Sequence, residues 1–456
     1  MKVLEFSDPL VVGSSITHQS PRFDRLYVGL VILARKPHHV HGRRELHPST
    51  DDRAVAYSAR HDRFHDLGES VSQEENRLRS SSRLLALGAS AAIIFAACGG
   101  GASTAPTTAP TDGASVAPTG TPVESMAPFK ACLVTDTGGL GDKGFNDNAL
   151  KGLKDALAAG SATEVKNLES KKDADYASNI DLLVTDGCQQ ITTVGFNMGD
   201  ITKTKAGENT DIAFSIVDYA YDPAITNVTG IVFATEQAGM LAGYLAAGVS
   251  ATGKIGTYGG LPIPPVTDFM DGLYAGIKYY NQEKGTKVTL LGWTPGVGGA
   301  AGTGVFAPAD NPWGNTDFGN NQAKAFFQEG ADIVLPVAGG TGIGTFTAAK
   351  QAQGEGKKVY AIGVDTDQYL TAPGFESVIL TSIQKVIDKA VSDAIKLAHD
   401  GGLGGTNYVG TLANGGVGIS PFHDLASLVP ADLSAGLDAL KAKIIAGSVK
   451  VADYKN

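Results

Sequence analysis

Past residue 129 the chain alternates short apolar runs with longer stretches whose apolar positions recur at helical spacing. Ala131 to Thr135 is followed by a helical Phe145 to Ala158, Thr163 to Leu168 by a helical Asp175 to Val184, and two further apolar runs cover Gln190 to Gly195 and Ile212 to Val217. This βαβα rhythm predicts an α/β fold with a parallel sheet and helices on both of its faces. A second series repeats the theme. It predicts strands at Lys254 to Tyr258, Lys287 to Trp293, Ile333 to Val337 and Val359 to Val364, with helices at Glu236 to Ala247, Asp268 to Tyr280, Gly319 to Gln328 and Thr345 to Gln353. Roughly 330 residues are too many for one doubly wound core, so two lobes are expected side by side. A strongly amphipathic Lys385 to His399 is expected to return to the first lobe, and the tail from Asn407 to Val451 to hold a short strand or two and a helix from Leu433 to Ile445. These readings divide the chain into a first lobe of 129–233 plus 384–404 and a second of 234–383 plus 405–456.

The first 128 residues lack such a pattern. Every arginine, from Arg22 to Arg83, lies in this part, as do seven of the nine histidines, so two compositions are joined. Residues 1–76 carry no sustained hydrophobic period and read as a disordered or untranslated extension. Residues 77–97 place Arg77, Arg79 and Arg83 before an apolar run from Leu84 to Ala97 that ends at Cys98, the arrangement of an export signal. Fourteen helical residues reach only about 21 Å, short of a bilayer core. Phe95-Ala96-Ala97-Cys98 resembles a bacterial lipobox with phenylalanine in place of the usual leucine, which makes Cys98 the expected lipidated residue and the cell membrane's outer side the expected location. The Gly/Ala/Ser/Thr/Pro-rich 98–128 then reads as a flexible tether.

From Cys98 onward 24 lysines face 36 acidic residues, a net charge of −12. That balance argues against nucleic acid as a partner and against adhesion to an anionic membrane, leaving the lipid as the only expected membrane contact. Cys132 and Cys188 remain, and an exported compartment permits a disulfide between them; two buried thiols are the alternative. Only His399 and His423 follow Cys98, with no HExxH, no CxxC and no Ser/His/Asp set. An enzyme is therefore not expected, and neither a metal nor a cofactor.

Ligands of open α/β sheets bind beyond the carboxyl ends of the strands, which makes the residues there the candidates. The first strand runs into Thr135-Asp136-Thr137-Gly138-Gly139-Leu140-Gly141-Asp142-Lys143-Gly144-Phe145-Asn146. Gly139, Gly141 and Gly144 formally match GxGxxG, with Glu169 at the distance of a ribose-binding acid. Asp136 stands where a pyrophosphate would approach, however, and a bulky Phe-Asn pair opens the helix, so a dinucleotide site is disfavoured. Gly339 to Gly344 lacks the Lys-Ser/Thr that completes a P-loop.

Asp-x-Gly-Gly-x-x-Asp-Lys-x-Phe-Asn resembles the basic membrane protein family of substrate-binding lipoproteins, which includes purine nucleoside receptors. Further matches lie at Phe214 to Asp218, Val337 to Gly342, Ile362 to Asp367 and Leu380 to Lys385, and the likeness spans about Lys130 to Lys455. It implies a type I periplasmic-binding-protein architecture with three hinge crossovers and a nucleoside held between the lobes. Phe145 would stack on one face of the base. Trp313 would take the other face, with Phe318 as its rival because the Asn311 to Gly319 loop looks longer than usual. Asn146 and Asp218 would meet the base edge, and Asp136, Gly339, Asp365 and Lys385 the sugar.

The implied function is nucleoside capture, purines first, by a monomer that serves an ABC permease and ATPase on separate chains. Another ring-bearing or sugar-like ligand, or a sensor feeding a membrane signalling partner, would use the same chemistry. Each candidate also has a plainer reading. Phe145 could be core, Asp136 and Asp365 could cap helices, Asp218 could be a solvated loop acid, and Lys385 could open its helix on a wet face.

Overall fold

The computed structural model describes residues 127–298 and 300–455. The proposed extension, signal segment and Cys98 lie outside them, as does nearly all of the tether.

Two six-stranded sheets organise the described chain. The first contains β1 (Lys130–Val134), β2 (Glu164–Leu168), β3 (Gln190–Val194), β4 (Ala213–Val217) and β5 (Val228–Phe233). Its helices are α1 (Phe145–Ala158), α2 (Asp175–Thr185) and α3 (Gly199–Glu208). The chain then enters the second lobe through α4 (Thr235–Val249), β6 (Lys254–Gly259), α5 (Pro264–Lys284) and β7 (Thr289–Leu291). A short hairpin of β8 (Trp293–Thr294) and β9 (Thr303–Gly304) precedes α6 (Thr316–Gln328), β10 (Ile333–Val337), α7 (Ile343–Gly354), β11 (Tyr360–Asp365), α8 (Gln368–Thr371) and β12 (Ile379–Lys385). α9 (Ile387–His399) and β13 (Thr406–Gly410) return to the first lobe, and β14 (Val417–Ile419) and α10 (Ala431–Ile445) close the second.

Strand order is β2-β1-β3-β4-β5-β13 in one sheet and β7-β6-β10-β11-β12-β14 in the other. Every pairing within these sheets is parallel except β12 with β14. Both sheets thus reverse direction after their first strand, between β1 and β3 and between β6 and β10, the kind of switch point at which open sheets bind ligands. The central strands are buried on both faces: β3 and β4 have no exposed residue, which explains why they read as continuous apolar or β-branched runs rather than alternating ones. The chain passes between lobes three times, at Ala234, at Val386 and within 411–416, so the expected architecture with three crossovers holds.

Several boundaries differ from expectation. Residues 406–410, assigned to the second lobe, form β13 and pair with β5 of the first, so that crossing comes after Gly410. Gly404 and Gly405, at φ 127° and 77°, turn the chain onto β5, and the Gly405 amide donates to the Val228 carbonyl. A Cβ on Gly404 would lie 2.7 Å from the Val228 backbone, so only glycine makes this approach. β5, α3, α8 and β12 are additions to the expected elements. Lys385 does not open a helix; it ends β12, and α9 begins at Ile387. α5 starts at Pro264 rather than Asp268, because proline with its fixed φ suits the first helical turn, and it stops at Gly285 in the left-handed region. Cys132 on β1 and Cys188 ahead of β3 form a disulfide that joins neighbouring parallel strands inside the first lobe.

Candidate functional site

All eight candidate binding residues line one cavity between the lobes, whose roughly 560 Å³ of empty space includes the part open to solvent. The first lobe contributes Asp136 after β1, Phe145 and Asn146 at the start of α1, and Asp218 after β4. The second contributes Trp313 before α6, Gly339 after β10, Asp365 at the end of β11 and Lys385 at the end of β12. Phe318 is not among the lining residues. It packs edge-on against Tyr258, with ring centroids 5.6 Å apart, whereas Trp313 lines the cavity.

Local structure holds these groups in place. Trp313 lies against Gly260, where a Cβ would come within 2.1 Å of the indole, and its carbonyl accepts from the Thr341 amide. Asp142 accepts from the amides of Gly144, Asn146 and Asp147 and so caps α1, the role considered above for Asp136. Asp136 instead accepts from the Gly138 amide and from Asn146 Nδ2 at 2.9 Å. Because Asn146 Nδ2 also reaches Asp142, the Asn146 amide has a fixed orientation, and its Oδ1 is left buried without a partner. A buried acceptor in this state favours a ligand that brings a donor.

Asp218 and Asp365 have φ values of 67° and 66°, in the left-handed region that aspartate tolerates better than most residues. Both flank Lys385. Its Nζ lies 2.8 Å from Asp218 Oδ2 and 3.8 Å from Asp365 Oδ1, while the rings of Phe269 and Phe145 stand 4.9 and 5.5 Å from it. Lys385 is 2% exposed and Asp218 9%, so neither sits on a wet surface. Asp218 was assigned to the base edge and Lys385 to the sugar, yet the two are ion-paired and form one unit.

The cavity is rich in acid. Asp136, Asp142, Asp218 and Asp365 line it against the single cation Lys385. Burial pushes the Asp365 carboxyl up to about 7 despite the pull of Lys385, and burial does the same for Asp136 against the opposing bonds from Asn146 and Gly138. Asp136 is half-buried and touches the cavity. For Lys385, burial works against the charged form; Asp218 and Asp365 outweigh it and hold the ammonium protonated. The walls therefore present acceptors and flat apolar surface, an arrangement suited to a ligand with several O–H or N–H donors on a ring system. Among the described residues no group of three or more His, Cys, Asp or Glu is spaced to hold a metal ion.

Residues 129–294 and 308–455 match the Bmp family, described as ABC transporter substrate-binding protein PnrA-like. The chain belongs to this family. A CD4+ T-cell-stimulating antigen of Listeria monocytogenes is 30% identical to it, covering 72% of this chain and 90% of the relative. The protein named ABC transporter nucleoside-binding protein BmpA, of Lactococcus lactis, is also 30% identical, over 71% of this chain and 91% of its own. Among solved structures, an ABC transporter solute-binding protein from Aeropyrum pernix aligns with a TM-score of 0.62 and 26% identity, covering 71% of this chain and 93% of its own. As a Bmp-family protein the chain is a substrate-binding protein of an ABC transporter, a class of extracytoplasmic proteins that are not enzymes, with a small-molecule ligand and permease and ATPase partners. Among the described residues no helix is long and apolar enough to cross a membrane. The family match leaves out residues 295–307, which follow β8 and include β9.

The structure adds Asp142, Phe196 and Phe269 to the cavity wall. Asp142 stands inside the motif after β1, and Phe196 follows β3 as the strand-end rule directs. Phe269 lies within α5, where its spacing is that of any core residue, and no sequence signal marks it.

Proposed function

We propose that this Bmp-family protein captures nucleosides, purine nucleosides foremost, in the interlobe cavity and presents the closed form to its transporter, while a lipid on Cys98 holds it at the outer face of the membrane. The observation that carries the reading is the pairing of chemistries in one cavity. Phe145 and Trp313, from different lobes, supply flat surface for a base, and Asp136, Asp365 and the orphaned Asn146 Oδ1 supply acceptors for hydroxyl and amide donors. A relative named for nucleoside binding supports the same ligand class. Ligand contacts made by both lobes favour the closed state through their differential affinity for it.

A thermal-shift panel of nucleosides, free bases and sugars tests the reading. Guanosine and inosine are expected to stabilise the fold by RT ln(1 + [L]/Kd) and so to raise the melting temperature progressively with concentration, and ribose alone to fall far behind. A response to free sugars with none to nucleosides would overturn the ligand class.

Binding should also depend on pH. Asp136 and Asp365, both pushed up to about 7 by burial, are protonated at pH 6 and ionised at pH 8. A ligand that donates hydrogen bonds to the ionised carboxylates expels their protons, so its affinity is expected to fall as pH drops through 7. The limit is about tenfold per pH unit for each proton released. Calorimetric titration in buffers of different ionisation enthalpy measures that release directly, and affinity that is flat from pH 8 to 6 would contradict it.

A further inference from the structure

Beyond the cavity, one pair of contacts ties the lobes together without touching the space a ligand would fill. Lys143, in the loop before α1, is non-glycine at φ 61° and exposed, a conformation that sets its backbone carbonyl toward the second lobe. That carbonyl accepts from Thr371 Oγ1 at 2.8 Å and from Gln368 Nε2 at 3.2 Å, both on α8.

Each side of this contact is built rigidly. On the first lobe, Asp147 accepts from the Gly141 and Lys143 amides, and Asp142 accepts from Gly144, Asn146 and Asp147, so the loop is pinned to the first turn of α1 that carries Phe145 and Asn146. On the second, the Gln368 backbone N–H donates to Ser382 Oγ and Gln368 Oε1 accepts from the Val364 backbone N–H. The latter bond fixes the orientation of the side-chain amide and turns Nε2 toward Lys143. α8 follows Asp365 by two residues, and a Cβ on Gly144 would come within 3.5 Å of the Asp365 carboxylate. The contact therefore sits beside the binding residues of both lobes and exists only while those residues face each other.

We infer that Thr371 and Gln368 are positioning residues, a clasp on the Lys143 carbonyl that sets the closed population and so the ligand affinity. Neither residue lines the cavity. A protein whose binding-competent form is only partly populated binds with an affinity reduced by that fraction, so a bond present only in the closed form strengthens binding without touching the ligand. Because the acceptor is a backbone carbonyl, the lysine side chain is dispensable to it.

The affinity arm rests on the nucleoside reading, whereas a second arm needs no ligand. Thr371→Val keeps the shape and removes the donor. In the full chain it is expected to raise the guanosine Kd roughly three- to tenfold, as loss of one net hydrogen bond implies. It should also shift the ligand-free tryptophan emission to the red. The sequence holds two tryptophans; Trp293 is buried and bonded to Asp271, which leaves Trp313 in the cleft to report opening. Thr371→Ser restores the donor and is expected to return both readings to wild type, and Lys143→Asn to change neither. Wild-type affinity together with wild-type emission in Thr371→Val would overturn the clasp, as would failure of Thr371→Ser to restore them. A wild-type chain that ignores guanosine would count against the nucleoside reading alone, and the emission arm would then decide the clasp.

Discussion

Lys385→Met is expected to lower stability by about 3–5 kcal/mol and to abolish the ligand response, the largest effect of any single substitution in the cleft. The reason is the company Lys385 keeps. Its ammonium lies 2.8 Å from Asp218 and 3.8 Å from Asp365, at 2% exposure, with aromatic rings on its other sides. Methionine fills the same volume but leaves two buried carboxylates without a counter-ion, and each must then be protonated or hydrated at the expense of packing. Denaturant titration of the ligand-free protein measures the loss. The double variant Asp218→Asn, Lys385→Met removes one of the stranded charges and should regain much of the stability while still failing to bind. A Lys385→Met protein as stable as wild type would show that the buried ion pair does not carry this stability.

Phe145→Ala separates binding from folding. Phe145 opens α1 on the cavity wall, only half-buried, with Asn146 and Asn148 beyond it turned inward. Removing its ring takes away one face of the proposed stack, about 1–3 kcal/mol, and should weaken guanosine binding roughly 5- to 150-fold. The ligand-free melting temperature should stay near that of wild type, because the helix keeps its Asp142 cap and its packed face. Calorimetry reads the first quantity and thermal denaturation the second. Unchanged affinity would place the base elsewhere in the cleft.

Much of this arrangement was legible because the fold places chemistry at strand ends. Asp136, Asp218 and Asp365 end or closely follow strands that the βαβ pattern predicts, which marks them as the mouth of a sheet, whereas Lys385 was marked by the family resemblance alone. Where the pattern misled, tertiary contacts decided. β12 carries Thr381, Ser382 and Gln384 among its apolar residues, and its Thr381 hydroxyl is satisfied by Ser420, so a polar-looking segment ends up as a buried strand. Lys385 looked like the first residue of an amphipathic helix because the periodicity of α9 extends back over it, whereas its ion pair with Asp218 is a contact across 167 residues of sequence. β13 is short and largely exposed, and only the free edge of β5 and two left-handed glycines assign it to the first sheet. The clasp on Lys143 was equally hidden, since its acceptor is backbone and its donors lie more than 200 residues away.

The most direct measurement is a crystal structure of the protein grown with guanosine. The account predicts closed lobes with the base lying between the Phe145 and Trp313 rings and the sugar hydroxyls donating to Asp136 and Asp365. Guanosine bound outside the interlobe cavity, or an interlobe cavity left empty at saturating guanosine, would contradict it.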